Sequence, residues 1–263
     1  MKNATAQALS KVPEVTLMFW IVKILATTLG ETGGDAVTMS MNLGYAIGTL
    51  IFLVIFAAVV VVQIRAQAFD PALYWIAIVA TTTLGTTIAD YVDRSLGIGY
   101  LGGSTILLAG LLASLFVWRW FEGTVAVETV ATPRVEVFYW VTIMFSQTLG
   151  TALGDWVAAS NSLGFEGGAL IFSVGLAVII GLHFGKRVST VTLFWAAFVL
   201  TRPLGATVGD LLDKPVALGG FAFSRYTASI VLILAMVAFV WKFPQKAGRH
   251  SAHAEVQVVD PQL

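Results

Sequence analysis

The sequence contains no cysteine, few charged residues and few histidines, and each shortage narrows what the protein can be. Without cysteine, disulfides, thiolate metal sites and cysteine catalysis are excluded. Two of the three histidines, His250 and His253, lie in the polar C-terminal tail, so copper and zinc would find few preferred ligands. Lys plus Arg number 15 and Asp plus Glu number 15, and this zero net charge argues against a nucleic-acid partner.

Enzyme signatures are missing as well. The chain has no G-x-S-x-G, no H-E-x-x-H, no P-loop and no Gly-rich dinucleotide turn, and His183 alone does not make a catalytic or haem site. We therefore expect neither enzymatic activity nor an organic cofactor. The polar N-terminus lacks an apolar core followed by a cleavage site, so we expect the first spanning helix to serve as the signal.

What the chain has in abundance is apolar sequence. Apolar residues make up 57% and charged residues 11% of the 263 residues, where a soluble domain carries about 25% charged residues. A spanning helix needs roughly 20 mainly apolar residues. Stretches of this kind lie at about 14–34, 44–64, 71–91, 101–121, 135–156, 166–184, 190–211 and 223–242. The sequence thus predicts an all-α integral membrane protein with eight transmembrane helices in residues 1–245 and a disordered cytoplasmic tail at 246–263.

The basic residues between these spans predict the orientation. One side holds Lys2, Lys11, Arg65, Arg119, Arg134, Lys186, Arg187, Lys242, Lys246 and Arg249, and the other holds Arg94, Lys214 and Arg225. Because Lys and Arg accumulate on the cytoplasmic side, both termini are expected in the cytoplasm.

An internal repeat with the pattern W-x9-G-x4-D-x8-G occurs four times, in units of about 12–66, 67–122, 132–187 and 188–243. Its anchors are Trp20, Gly30, Asp35 and Gly44, then Trp75, Gly85, Asp90 and Gly99, then Trp140, Gly150, Asp155 and Gly164, and finally Trp195, Gly205, Asp210 and Gly219. Each unit contains two spans, so successive units point the same way. The repeats should therefore be related by pseudo-symmetry about the membrane normal.

Each odd-numbered helix carries one polar stripe, because positions fifteen, eight and four before the Asp share its face. The stripes read Trp20, Thr27, Glu31, Asp35; Trp75, Thr82, Thr86, Asp90; Trp140, Gln147, Thr151, Asp155; and Trp195, Arg202, Ala206, Asp210. Against lipid such a stripe is unfavourable, so we expect it to face the bundle interior or water. The tryptophans are expected to be packing anchors.

Two interpretations of the four Asp residues stay open. They either end the odd helices near the outer surface as structural groups, or they join Glu31 and freed backbone carbonyls in a cation pathway. Carboxylate and carbonyl oxygens suit hard cations such as Mg²⁺, Ca²⁺ or Mn²⁺. Asp93-Arg94 and Asp213-Lys214 are expected to be outer helix ends with local charge pairs.

Glu31 and Arg202 break the repeat, since each occurs in one copy. Glu31 and Asp35 are four residues apart on one helix face, where they can bind one ion. Alternatively, Glu31 pairs with Arg202 if copies one and four adjoin. Lys23, also inside a span, is expected to snorkel or to pair internally.

With these anchors in all four copies, the chain resembles, over about residues 12–242, a bacterial inner-membrane family of four tandem two-helix repeats of unknown function. The resemblance implies an inner-membrane location and the eight-helix plan. A weaker similarity links the segment from Leu29 to Asp35 with cation/proton exchangers that bear E-x-G-D-K motifs. Here one extra residue separates Glu31 from Asp35, no Lys follows, and the other copies lack the Glu.

The sequence therefore predicts a transporter of a small hard cation, such as divalent Mn, Mg or Ca, near the outer ends of the odd helices. Glu31 and Asp35 would be primary ligands, Asp90, Asp155 and Asp210 secondary ligands, and Arg202 a counter-charge. A cation channel along the axis, a membrane scaffold or accessory subunit, and a small organic-ion transporter are the alternatives.

Overall fold

The computed structural model describes residues 9–159 and 163–249, and its main elements are eight helices and two short strands. The helices are α1 Leu17–Asp35, α2 Gly44–Arg65, α3 Pro71–Asp90, α4 Gly99–Glu122, α5 Pro133–Ala159, α6 Gly164–Gly185, α7 Thr190–Asp213 and α8 Arg225–Lys242. The strands are β1 Leu9–Pro13 and β2 Ala247–Arg249. Each predicted span corresponds to one of these helices, and the all-α membrane fold is confirmed.

Six of the helices, α2, α3, α4, α6, α7 and α8, are long and apolar enough to cross a membrane by length and composition. The other two, α1 and α5, are outside this set but occupy positions in their repeats equivalent to those of α3 and α7. The odd-numbered helices α1, α3, α5 and α7 form a closed inner ring, in which each contacts the next and α7 contacts α1.

The even-numbered helices lie outside this ring. Each packs against the odd helix of the following repeat, α2 on α3, α4 on α5, α6 on α7 and α8 on α1. Their residues are mostly exposed, whereas those of the inner ring are mostly buried. Apolar outer helices therefore face lipid, and the polar stripes of the inner ring are kept away from it, as expected.

Local sequence explains where the helices start and turn. Thr16, Asp70 and Ser189 each accept a hydrogen bond from a backbone N–H in the first turn of α1, α3 and α7. Beyond the Asp, the helical chain of repeats one and two continues as a π-helical turn. The last glycine of the motif follows with positive φ in every copy, at Gly44, Gly99, Gly164 and Gly219. Glycine adopts this conformation without a steric penalty, which accounts for its recurrence there.

The two strands cover one end of the ring, here called the tryptophan end because the motif tryptophans lie there; the opposite end is the aspartate end. β1 pairs with β2 in antiparallel fashion. Lys11 Nζ donates to Glu136 Oε1 at 2.5 Å, and Val12 is buried in the core. The predicted disordered tail is thus wrong at its start, because Ala247–Arg249 pairs with β1; residues 250–263 lie outside the described part.

Neighbouring inner helices meet at the first glycine of the motif. A Cβ at Gly30, Gly150 or Gly205 would collide with the residue seven after the Trp in the next repeat, namely Thr82, Arg202 or Thr27. At Gly85 it would lie 2.9 Å from backbone atoms of both Gln147 and Thr148. The same contact therefore recurs around the ring and allows close helix approach.

Replacing Gly85 with Ala should destabilise the fold, because the backbone of α5 must move to admit the methyl group. We expect a loss of about 1–3 kcal/mol, the usual range for overpacking. Gly33→Ala is the matched control, since no heavy atom of another helix lies within 4 Å of its Cβ position. Thermal unfolding of the detergent-purified variants gives a midpoint for each. Equal midpoints for Gly85→Ala and Gly33→Ala would contradict the glycine contact.

Candidate functional site

The inner helices each bury one row of residues spaced four apart, which together form five layers of the bundle interior. From the tryptophan end the layers are Phe19, Tyr74, Tyr139, Phe194; Lys23, Ile78, Ile143, Phe198; Thr27, Thr82, Gln147, Arg202; Glu31, Thr86, Thr151, Ala206; and Asp35, Asp90, Asp155, Asp210. All twenty side chains are buried. The interior thus changes from aromatic to polar to acidic along the ring.

The aromatic layer closes the tryptophan end. Its rings contact the motif tryptophan of the next repeat around the whole circle, with centroid distances of 5.5, 6.0, 6.4 and 5.7 Å for Phe19–Trp75, Tyr74–Trp140, Tyr139–Trp195 and Phe194–Trp20. The Tyr74 and Tyr139 hydroxyls also share a hydrogen bond of 2.7 Å. The tryptophans thus lie in the packed aromatic core of this end.

Glu31 and Arg202 form an ion pair at the centre of the ring, where copies one and four adjoin. Both terminal nitrogens of Arg202 lie 3.2 Å from Glu31 Oε2. Arg202 Nη2 also donates to Thr86 Oγ1 at 2.6 Å and to Thr151 Oγ1 at 2.5 Å. One guanidinium therefore connects all four repeats, in an environment where an unpaired charge would be strongly destabilising.

Lys23 lies two helical turns below Glu31 and is fully buried. Its ammonium donates to Thr201 Oγ1 at 3.0 Å and to the Phe198 carbonyl at 3.4 Å, and it lies 3.7 Å from the centre of the Phe198 ring. Hydroxyl, carbonyl and aromatic face all interact favourably with a cation. Lys23 is thus bound inside the protein rather than snorkelling, although a carboxylate is not among these partners.

The four motif Asp residues form two pairs, each bridged by one basic residue. Arg94 Nε lies 3.1 Å from Asp90 Oδ1, and Arg94 Nη2 lies 2.9 Å from Asp155 Oδ2. Lys214 Nζ lies 3.0 Å from Asp210 Oδ1 and donates to Asp35 Oδ2. Each bridge joins the Asp of one repeat to the Asp of the next, so the acidic layer has twofold rather than fourfold symmetry.

Lys214 follows the last residue of α7, beside these carboxylates. Burial would lower the pKa of its ammonium, but the neighbouring carboxylates, first Asp210 and then Asp35, outweigh burial and raise it above the usual value. Lys214 therefore serves as a charged partner for the acidic layer at neutral pH.

The predicted local pairs at the outer helix ends are wrong. Arg94 and Lys214 form their ion pairs with the motif Asp residues of the acidic layer rather than with their sequence neighbours Asp93 and Asp213. Asp213 instead binds Arg225, whose Nε is 3.0 Å from Asp213 Oδ2. Asp35 and Asp90 are the last residues of α1 and α3, as the helix-end interpretation expects, but both are buried and neither side chain caps the helical turn after it. Asp155 and Asp210, in contrast, lie within α5 and α7.

One group of carboxylates has the geometry to hold a metal ion. An oxygen from each of Glu31, Asp35 and Asp210 lies within 4.8 Å of the other two, and all three residues are buried. Asp35 Oδ1 has no hydrogen-bond partner among the described residues, although Asp35 is fully buried. Such an unsatisfied oxygen is costly unless something binds it, so the arrangement suits a hard cation.

The structure thus brings together part of the set predicted from the sequence. Glu31, Asp35 and Asp210 converge, whereas Asp90 and Asp155 bind Arg94 on the other side of the acidic layer. Arg94, Lys214 and Arg225 were not among the predicted site residues. The sequence does contain a signal for Arg94 and Lys214. Each follows a motif Asp by four residues, the spacing at which side chains are neighbours on a helix.

Fold and site together define an integral membrane protein in which tandem two-helix repeats enclose a charged interior. The chain matches a family described as a repeat of unknown function (DUF347) at residues 18–69, 73–124, 138–189 and 193–246, and it belongs to that family. This confirms the four tandem repeats. No curated protein and no solved structure matches the chain.

Removing one member of the Glu31–Arg202 pair should destabilise the protein more than removing both. Arg202→Met leaves Glu31 without its cation, and we expect a loss of roughly 3–5 kcal/mol. The double variant Glu31→Gln/Arg202→Met should lose less than Arg202→Met alone, because no buried charge is left without a partner. Unfolding of the purified proteins in detergent gives the coupling energy.

The exposed pair Arg134–Glu122, at 2.8 Å, provides the control for this cycle. Its coupling energy should stay within about 1 kcal/mol, as is usual for surface ion pairs. A central coupling no larger than that of the surface pair would show that Glu31 and Arg202 do not depend on each other.

Proposed function

We propose that the protein transports a small hard cation, most simply a divalent ion such as Mn²⁺, Mg²⁺ or Ca²⁺, across the inner membrane of a bacterium. The observation that carries the proposal is the convergence of Glu31, Asp35 and Asp210, three buried carboxylates with ligand oxygens within 4.8 Å of one another. Oxygen ligands of this kind are those that Mg²⁺, Ca²⁺ and Mn²⁺ prefer.

The charge balance of the aspartate end also favours a cation. Its buried carboxylates are Glu31, Asp35, Asp90, Asp93, Asp155, Asp210 and Asp213, and the basic residues paired with them are Arg94, Arg202, Lys214 and Arg225. Among the residues that the structure describes at this end, seven buried carboxylates thus face four cationic side chains. Excess negative charge away from water is unfavourable, and a bound cation or protons would reduce it.

The filled interior favours a carrier over an axial channel. The aromatic layer and the strand β1 cover the tryptophan end, and the Arg202 network fills the centre of the ring. Arg94 and Arg225, in contrast, are partly exposed at the aspartate end. We propose that the ion enters from this end and that a conformational change opens the other.

We also propose an orientation of the bundle in the membrane. β1 and β2 bring the two ends of the described chain to one side of the bundle, the side with most of the basic residues. We therefore place the tryptophan end and both termini in the cytoplasm.

Labelling of single cysteines tests this orientation, because the natural chain has none. Ser95→Cys, at the exposed aspartate end, should react in intact cells with a maleimide that does not cross the inner membrane. Gln67→Cys, at the exposed tryptophan end, should react after permeabilisation. The reverse pattern would place the acidic site on the cytoplasmic side.

Metal binding tests the site directly. Mn²⁺, Mg²⁺ and Ca²⁺ are titrated separately into the detergent-purified protein, and the midpoint of thermal unfolding is followed. One of them should stabilise the wild type saturably, by about 2.7 kcal/mol at a hundredfold excess over Kd. Glu31→Gln and Asp35→Asn should abolish the shift.

Glu166→Gln is the matched control, because Glu166 is an exposed acid at the same end, outside the ring. It should leave the shift unchanged. If none of the three ions shifts the wild type, or if Glu31→Gln and Asp35→Asn keep the full shift, the cation site is wrong. A scaffold, an accessory subunit or an organic-ion transporter would then be the better hypothesis.

A further inference from the structure

We infer that Lys214 is a tethered cation that the transported ion displaces, whereas Arg94 is a fixed counter-charge that keeps the other half of the acidic layer closed. This inference rests on the proposed function and assigns different roles to two positions that the repeat makes equivalent. Both residues follow the motif Asp by four positions, Arg94 in copy two and Lys214 in copy four.

The two halves differ first in how the basic side chain holds its carboxylates. Arg94 uses separate nitrogens for Asp90 and Asp155, and its third nitrogen donates to the Tyr45 hydroxyl at 3.1 Å. Lys214 serves both Asp35 and Asp210 with a single ammonium nitrogen. The planar guanidinium fork is fixed at several points, while the ammonium resembles a point charge that another cation can replace.

The Lys214 half and the Arg94 half differ next in the layer of Glu31, which lies one helical turn nearer the tryptophan end. Glu31 adds a third carboxylate to the Lys214 half, within 4.8 Å of Asp35 and Asp210 oxygens. The equivalent residues on the Arg94 side are Thr86 and Thr151, whose hydroxyls bind Arg202. Three carboxylates thus converge in the Lys214 half, one of them also paired with Arg202, and the unsatisfied Asp35 Oδ1 lies among them. The Arg94 half also has an unsatisfied carboxylate, Asp93, but that side chain lies against Gly103 of α4.

The backbone at the two positions differs as well. Arg94 belongs to the π-helical turn Tyr91–Ser95 that extends α3. Lys214 has an extended backbone and begins the segment that connects α7 with α8, in which most residues are exposed. Lys214 thus reaches the carboxylates from a connection outside the ring helices, whereas Arg94 reaches them from a turn that is continuous with α3.

Substitutions of Lys214 test the inference. The affinity for Mn²⁺, the only metal ion added, is measured with the full chain in detergent. Lys214→Met removes the competing cation and should bind Mn²⁺ about tenfold more tightly than the wild type, equivalent to about 1.4 kcal/mol. Lys214→Arg introduces a guanidinium that can hold both carboxylates through separate nitrogens, so this variant should bind Mn²⁺ at least about tenfold more weakly than the wild type. Lys186→Met, the same substitution at an exposed lysine outside the acidic layer, should bind like the wild type.

A second measurement uses the unaltered protein, so it does not depend on how the variants fold. An amine-reactive reagent is applied with and without Mn²⁺, and peptide mass spectrometry gives the labelled fraction of each lysine. Labelling of Lys214, which is buried here, should rise severalfold with Mn²⁺. The exposed Lys186 should be labelled equally in both conditions.

The outcomes separate this inference from the proposed function. If the wild type binds Mn²⁺ but the Lys214 variants bind equally well and labelling stays constant, displacement is wrong and the cation site stands. Binding by Lys214→Met without binding by the wild type would show that Lys214 blocks the site and is not displaced, which overturns the inference. If Mn²⁺ binds neither of these two proteins, both ideas fail for Mn²⁺. Should Lys214→Met not fold, Lys214→Arg and the labelling decide.

Discussion

The close approach of neighbouring inner helices at one glycine per repeat is the contact on which the rest of the structure depends. In lipid, apolar surface does not drive helices together, so association relies on packing between backbones and on polar contacts. Gly85 faces the backbone of Gln147 and Thr148, and Gly205 faces Thr27, which closes the ring between the last repeat and the first. All four repeats must make this contact for the ring to close. The fourfold glycine of the motif is therefore explained by the scaffold alone.

The ring in turn keeps charged side chains in an interior where they must be satisfied by one another. Arg202 meets this requirement by binding Glu31, Thr86 and Thr151, one from each of the other repeats. Two interior positions of the stripe thus diverge between repeats, although the glycines that close the ring and the motif Asp residues do not. This division explains why Glu31 and Arg202 each occur once in a motif that is otherwise preserved.

The repeat predicted much of this organisation. Helix number, the common direction of the units and the burial of the polar stripes follow from the spacing of the motif and the energetics of lipid. Glu31 and Arg202 were recognised as partners on the condition that copies one and four adjoin. The roles of Arg94 and Lys214 were missed, because each has an acidic neighbour in sequence that favours a local pair. Their bridges to Asp155 and Asp35 depend on distances between helices.

The symmetry of the contacts decreases from the scaffold to the candidate site, which affects how the proposed carrier can move. The glycine contacts have fourfold symmetry, the basic bridges over the Asp layer have twofold symmetry, and the Glu31, Asp35 and Asp210 group occurs once. Contacts that repeat around a closed ring resist the separation of any one helix, since each helix is held on both sides. Changes in the site are therefore easiest where side chains enter from outside the ring. Lys214, on the connection between α7 and α8, is in that position, so access to the acidic site can change while the ring stays closed.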